Sequence, residues 1–346
     1  MVPEQVTDRR PMIAWLGVVA LFVFAMVVVG GLTRLTDSGL SMVDWQPLMG
    51  VIPPLGLAEW QETFARYQQY PEYQKLYPDM TLDQFKGIFY WEYFHRLLGR
   101  LSGLVFTIPL LIFWWRGSLD PLLRRRLLIA LVLGGLQGLL GWYMVKSGLV
   151  NEPRVSHYRL AAHLSLALFL LCWIFWLMLG VIGRRTGPRA EPLPAGFARV
   201  ITGLIAVQIV YGAFVAGLHA GIGYNTFPTM NGRWIPAMMG QLDPAWLNLF
   251  ENTVTVQFIH RGIAWLLLLV VGVFSFGMLR RRPDPAIRRA VLLLILAMAG
   301  QFLLGVWTLL AVVPVSLASL HQAGACVLLL ASVYLNFLLS GTRAAD

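Results

Sequence analysis

The chain has 346 residues, 58% of them hydrophobic and only 13% charged, with a net charge of +10. A soluble domain of this size would be roughly a quarter charged, so the composition marks an integral membrane protein. Its apolar runs of about twenty residues read as helices and exclude a porin-like barrel, whose strands alternate in short segments.

In chain order, Arg9 and Arg10 precede the apolar stretch Met12 to Val29. That stretch is long for the core of a signal peptide and no clean small-x-small cleavage site follows, so it reads as a retained first helix. Eight spans are predicted, at 12–31, 88–115, 127–145, 158–182, 197–219, 253–279, 290–312 and 317–340. The N-terminus, the 116–126, 183–199 and 280–289 loops and the tail hold sixteen of the 27 Lys and Arg residues. The positive-inside rule places this face, and both termini, in the cytoplasm of a cell inner membrane. The basic balance is therefore topology with some affinity for anionic lipid, and not a nucleic-acid surface.

The opposite face carries two long loops, about 36–87 and 220–252. Within the first, "LAEWQETFARYQQY" has a helical apolar rhythm and is expected to lie along the outer membrane surface. Loops of this length in a compact protein are usually functional. Cys172 and Cys326 each fall inside an apolar run, so no disulfide framework is expected.

The two halves echo each other. "EYFHRLLG" at 92–99 opens the second span and "QFIHRGIA" at 257–264 the sixth; "YRLAAHLSLALFL" opens the fourth and "ASLHQAGACVLLL" the eighth. "LGGLQGLLGWYMV" similarly parallels "MAGQFLLGVWTLL". The paired histidines stand 165 and 158 residues apart. The expected fold is all-α: eight transmembrane helices forming two pseudo-symmetric four-helix bundles, 1–185 and 186–346, in the same orientation.

Four of the six histidines, His95, His163, His260 and His321, fall one per span on even-numbered spans, one to two turns from the outer end. A lone helical histidine is ordinarily a satisfied core residue. Four at equivalent depths in a duplicated bundle instead suit axial bis-His haem ligation, each pair of helices offering one imidazole apiece to a shared apolar interior. The pairs are His95 with His163 and His260 with His321, while His157 and His219, at span edges, read as interfacial. Zinc would need four convergent ligands, and a di-iron site two Glu-x-x-His motifs, where the spans hold one, at Glu92 and His95.

That single carboxylate distinguishes the halves, because the position equivalent to Glu92 is Gln257. A carboxyl one turn from a haem ligand can accept protons, stabilise a developing cation or bind water. The asymmetry places chemistry in the first half and electron transfer in the second. The simpler role for Glu92 is an ion pair with Arg96 across one helical turn. Arg96 and Arg261 each follow a ligand candidate and match haem propionates in charge and shape, with snorkelling to lipid headgroups as the alternative.

Taken together, "GGLTRLTDSGLSMVDWQPLMGVIPP", "KGIFYWEYFHRLLGRLSG", "YRLAAHLSLA", "YGAFVAGLHAG", "QFIHR" and "LHQAGA" resemble the haem A synthase family, in order and over nearly the whole chain, closest to its alphaproteobacterial and mitochondrial branch. The resemblance implies oxidation of one ring methyl of haem O to a formyl group, by successive hydroxylation and loss of water, to give haem A for cytochrome oxidase. It implies that His95 and His163 face the substrate haem O, that His260 and His321 ligate a haem b (iron) cofactor, and that Glu92 is the catalytic glutamate. A haem O synthase and an electron donor are the implied partners, and homo-oligomerisation stays open. Some bacterial members carry a cysteine pair in the first outer loop; this chain has none there, which puts thiol-based electron entry in doubt. The competing class, a di-haem b-type electron-transfer cytochrome, commonly stacks two ligand histidines on one helix, and no span here does so. A transporter would set its polar groups at mid-membrane, whereas these sit near the outer end.

Overall fold

The computed structural model describes residues 8–42, 52–148, 154–183 and 192–341. Among them the helices are α1 (Arg10–Leu35), α2 (Leu57–Tyr67), α3 (Pro71–Leu76), α4 (Leu82–Trp115), α5 (Pro121–Gly148), α6 (His157–Ile182), α7 (Pro192–Gly217), α8 (Thr253–Arg280), α9 (Pro285–Leu310) and α10 (Val315–Leu339), with a 3-10 turn at Ala245–Leu249. All but α2 and α3 are long and apolar enough to cross a membrane, so the protein is all-helical with eight candidate spans. Leucines and aromatics such as Leu269, Phe276, Leu296 and Leu303 face outward, an apolar exterior suited to lipid.

Each span matches an expected one, and the differences sit at the ends. The helix α4 starts six residues before the apolar run because Thr81 and Gln84 form a capping box: the Gln84 N–H bonds the Thr81 hydroxyl, and the Gln84 side chain accepts from the Thr81 N–H at 2.9 Å. At α9, Asp284 caps the Ala286 N–H at 2.8 Å and Pro285 presets the first turn. These turns are polar, so an apolar window misses them.

By contacts the chain forms two compact units, one of Met1–Arg154 with Leu166–Arg184, the other of Val155–Ser165 with Arg185–Asp346. The outer turns of α6, with His157 and His163, thus group with the second unit. In the first unit α1 and α5 pack on α4. Its core joins Trp15, Leu16, Phe106, Leu110, Leu127 and Ile174, and the Trp15 indole N–H donates to the Val105 carbonyl at 2.9 Å. The amphipathic segment of the first outer loop is α2, but its apolar face is not left for lipid. Trp60 and Tyr67 are buried against Phe85 and Phe89 of α4, which offers aromatic partners at the same height.

In the second unit α7 touches α8, α8 touches α9, α9 touches α10 and α10 closes back on α7. The helices form a ring in which α8 and α10 stand diagonally. At one end of the ring Asn336 of α10 donates to Thr202 Oγ1 of α7 at 2.8 Å, and the Thr202 hydroxyl donates to Ser332 at 3.1 Å. At the opposite end α9 and α10 are joined by a tight turn with Val312 and Val313 at φ 62° and 59°, left-handed backbone that β-branched residues rarely adopt. Asn225 of the second outer loop holds that turn, donating to the Leu309 and Gly221 carbonyls at 3.0 and 2.7 Å.

Candidate functional site

On α4 the i, i+3, i+4 spacing puts Glu92, His95 and Arg96 on neighbouring faces of one turn. Glu92 is only 3% exposed. Its Oε2 accepts from the Ser41 hydroxyl and the Met42 N–H, both at 2.7 Å, and its Oε1 from Arg96 Nε and Nη2 at 3.1 and 2.6 Å. Four donors on two oxygens is the pattern a buried carboxylate anion requires. Arg96 Nη2 also donates to the Met42 carbonyl at 2.6 Å. The ion pair therefore exists, and it fastens the start of the first outer loop to α4.

The second unit repeats this with an amide in place of the carboxylate. Gln257, buried on α8, donates to the Tyr224 carbonyl at 3.1 Å. Arg261 donates to the carbonyls of Tyr224, Thr226 and Thr229 at 2.7, 3.0 and 3.3 Å. In both cases the residues flanking the histidine fasten the loop that leaves the preceding span.

The histidines lie in notches made by glycines on the neighbouring helix. A methyl at Gly30 of α1 would fall 3.0 Å from His95 Nε2, one at Gly212 of α7 3.2 Å from His260 Cε1, and one at Gly305 of α9 2.7 Å from His321 Cε1. All three rings are half-buried, as is that of His163 on α6. Around His163, Ala161 and Leu164 pack with Ala213 and Phe214 of α7. His260 and His321 come from the diagonal helices α8 and α10.

The predicted residues did not include the two amides beside these rings. Gln208 of α7 donates to the His260 carbonyl at 3.0 Å and lies 3.4 Å from His260 Nε2. Gln301 of α9 donates to the His321 carbonyl at 2.9 Å and lies 3.2 Å from His321 Nδ1. The signal was in the sequence as "QIVYG" and "QFLLG", a glutamine four residues before the notch glycine, with "QGLLG" at 137–141 as a third copy.

The second unit fits a bis-His haem. Each of the two diagonal helices carries one imidazole, and His260 Nδ1, Gln208 Oε1 and Gln301 Oε1 are buried with no hydrogen-bond partner among the described residues. Buried polar atoms left this way mark a place where a ligand belongs. His157 stands apart from this set: it is buried at the start of α6 with its Nε2 3.8 Å from Glu251, tilted against Tyr158 and edge-on to Phe214. His219 follows α7 with φ 54°, in the outer loop.

Above the first unit, a polar cluster belongs to the outer loop. Tyr77 donates to Asp37 Oδ2 at 3.0 Å, and Asp37 pairs with Arg34 at 2.9 Å. Glu72, 5% exposed, accepts only the Tyr67 hydroxyl among the described contacts, at 3.0 Å. Burial, reinforced by the negative charges of Glu92 and Asp37, pushes its carboxyl up to about 8.

The COX15-CtaA family model, described as cytochrome oxidase assembly protein, matches residues 13–333. A haem A synthase of Nitrosospira multiformis is 48% identical over 334 residues, covering 95% of this chain and 93% of that protein. One from Nitrosomonas eutropha is 46% identical over 342 residues, 96% of each chain. One from Agrobacterium fabrum is 46% identical over 327 residues, 94% of this chain and 89% of the other.

Proposed function

The chain belongs to the COX15-CtaA family of cytochrome oxidase assembly proteins, and from that premise we propose that it is the enzyme that makes haem A from haem O. The reaction oxidises one ring methyl of haem O to a formyl group. Each hydroxylation adds oxygen at that carbon, and loss of water from the doubly hydroxylated carbon leaves the aldehyde. The observation that carries this reading is the asymmetry between two matching helix turns: Glu92-x-x-His95-Arg96 on α4 and Gln257-x-x-His260-Arg261 on α8. Only the first can supply an anion.

His95 and His163 are proposed to face haem O, and His260 and His321 to ligate haem b. Haem b, when bound, supplies an electron-transfer centre. Glu92, held as an anion by Ser41, Met42 and Arg96, lowers the energy of positive charge developing at the methyl carbon, which is the electrostatic contribution a fixed buried carboxylate makes. Arg96 compensates its charge, and Arg96 and Arg261 are the candidate partners for propionates. The protein is multi-pass in the membrane. We place it in the inner membrane with both termini cytoplasmic and the haem sites toward the outer face, receiving haem O from a haem O synthase and electrons from a separate donor.

The test is to purify the chain and its Glu92→Ala variant after co-expression with a haem O synthase, extract the haems and identify them by mass. The wild type should yield haem b with haem A or its hydroxylated precursor. The variant should keep haem b and lose at least about a hundredfold of haem A formation. Haem b alone in the wild type would mean an electron-transfer cytochrome, and undiminished haem A in the variant would remove Glu92 from the chemistry.

A further inference from the structure

We propose that the basic end of α5 is a binding site for a phospholipid with an anionic headgroup, its phosphate paired with Arg124 and Arg125 and an acyl chain lying along the cleft beyond them. This cleft has a volume of about 470 Å³, within the range of small-molecule sites, about 300–1,000 Å³. Arg124 and Arg125 stand at one end of its lining, and Leu128, Ile129, Val132 and Leu133 continue it along the helix. The helix rises about 14 Å from Arg124 to Leu133 at about 1.5 Å per residue. One leaflet's share of a bilayer hydrocarbon core is about 15 Å. Charge at one end and an apolar floor of leaflet depth is the outline of a lipid, not of a free anion. In the topology proposed above this end faces the cytoplasmic leaflet, whose surface is the more anionic.

Arginines at a helix end can simply snorkel to bulk headgroups. The surroundings of this pair point further. Among the described residues no carboxylate pairs with either guanidinium. Asp120, just before them in sequence, is engaged as the cap of α5, its Oδ1 accepting from the Leu123 N–H at 2.8 Å. Arg124 is set over the Trp114 ring of α4, 5.5 Å from its centroid, a contact that orients the guanidinium without neutralising it. The floor is turned outward as well, with Ile129 39% and Val132 64% exposed, a surface suited to acyl chains. The same turn recurs in the second half, where "DPAIRR" at 284–289 matches "DPLLRR" at 120–125. There Arg289 turns its Nε back onto the Pro285 carbonyl at 3.2 Å, so the matching charge is differently held.

The experiment uses the full-length protein, purified in detergent and stripped of lipid, then titrated with palmitoyl-oleoyl phosphatidylglycerol or with phosphatidylcholine of the same chains. Native mass spectrometry counts the lipid bound per chain. The wild type should hold one phosphatidylglycerol at about thirtyfold lower concentration than phosphatidylcholine, the attraction expected of two arginines. Arg124→Gln/Arg125→Gln should abolish that preference. Arg288→Gln/Arg289→Gln removes the same charge from α9 and should keep it. Val132→Trp leaves every charge in place but fills the cleft, and should weaken phosphatidylglycerol binding by at least about tenfold. Excess inorganic phosphate should leave the lipid bound. Equal binding of the two lipids by the wild type overturns the proposal. Loss of the preference in the α9 variant also overturns it, because net charge alone would then account for the binding. Displacement by inorganic phosphate would make this a free-anion site and overturn the lipid assignment. If the α5 arginine variant fails to accumulate, Val132→Trp decides: undiminished phosphatidylglycerol binding there overturns the site.

Discussion

At the scale of single residues, the ionisable groups were legible because lipid makes them expensive. Glu92, His95 and Arg96 on one apolar helix demanded a reason, and the structure gives each a specific neighbour. Gln208 and Gln301 were not, because an uncharged amide in an apolar run costs less, and its value depends on which helix lies opposite. Glu72 was missed for another reason: it looks like any acidic residue in a polar loop, and only burial beside Tyr67 sets it apart. Its carboxyl, raised to about 8, holds a proton in the folded loop that an unfolded chain releases near the ordinary 4.5. The stability this contributes is complete below the lower value and is lost as pH rises through the upper one. The thermal unfolding midpoint of the wild type should therefore fall between about pH 5 and about pH 8 more steeply than that of Glu72→Gln. Parallel curves would mean that the carboxyl is ionised in the folded protein.

At the scale of elements, the eight spans were readable from length and hydropathy, but their first turns were not, since these are built by polar caps. The cap of α8 carries most consequence. Asn252 Oδ1 accepts from the Val254 and Thr255 N–H groups, both at 3.0 Å. The Asn252 amide donates to the Met238 carbonyl and to Asn248 Oδ1, both at 3.1 Å. It thus starts the helix that carries Gln257, His260 and Arg261 and ties that start to the second outer loop. Replacing it with Ala removes a cap worth about 1 kcal/mol. Asn252→Ala should lower the thermal midpoint of the purified protein while the haem b spectrum of the surviving fraction stays unchanged. An undiminished midpoint would show that the loop alone fixes the start of α8. The amphipathic rhythm of α2 was likewise readable as a helix but not as to its partner, because periodicity gives a face and not what covers it.

At the scale of the whole molecule, arginines gather in the 116–126 and 280–289 loops, and the topology proposed above puts the first long loop and the 220–252 loop on the opposite side of the membrane. Alkaline phosphatase fused after Ile235 should be active outside the membrane, and the same reporter after Asp284 should be inactive; the reverse pattern would invert the topology. The duplication sets which residues correspond, while the contacts group the turns of α6 at Val155–Ser165 with the second unit. The four-residue turn between α9 and α10 has a consequence in time. Gln301 and His321 lie only 20 residues apart on one hairpin, whereas Gln208 and His260 are separated by 52. A chain made from its N-terminus has α7 and α8 assembled before the last hairpin emerges, and that hairpin arrives with its own ring already notched and braced. The final insertion event then converts an open pair of helices into a closed ring, making the last synthesised hairpin the gatekeeper of biogenesis: a truncated chain has nothing with which to close the ring.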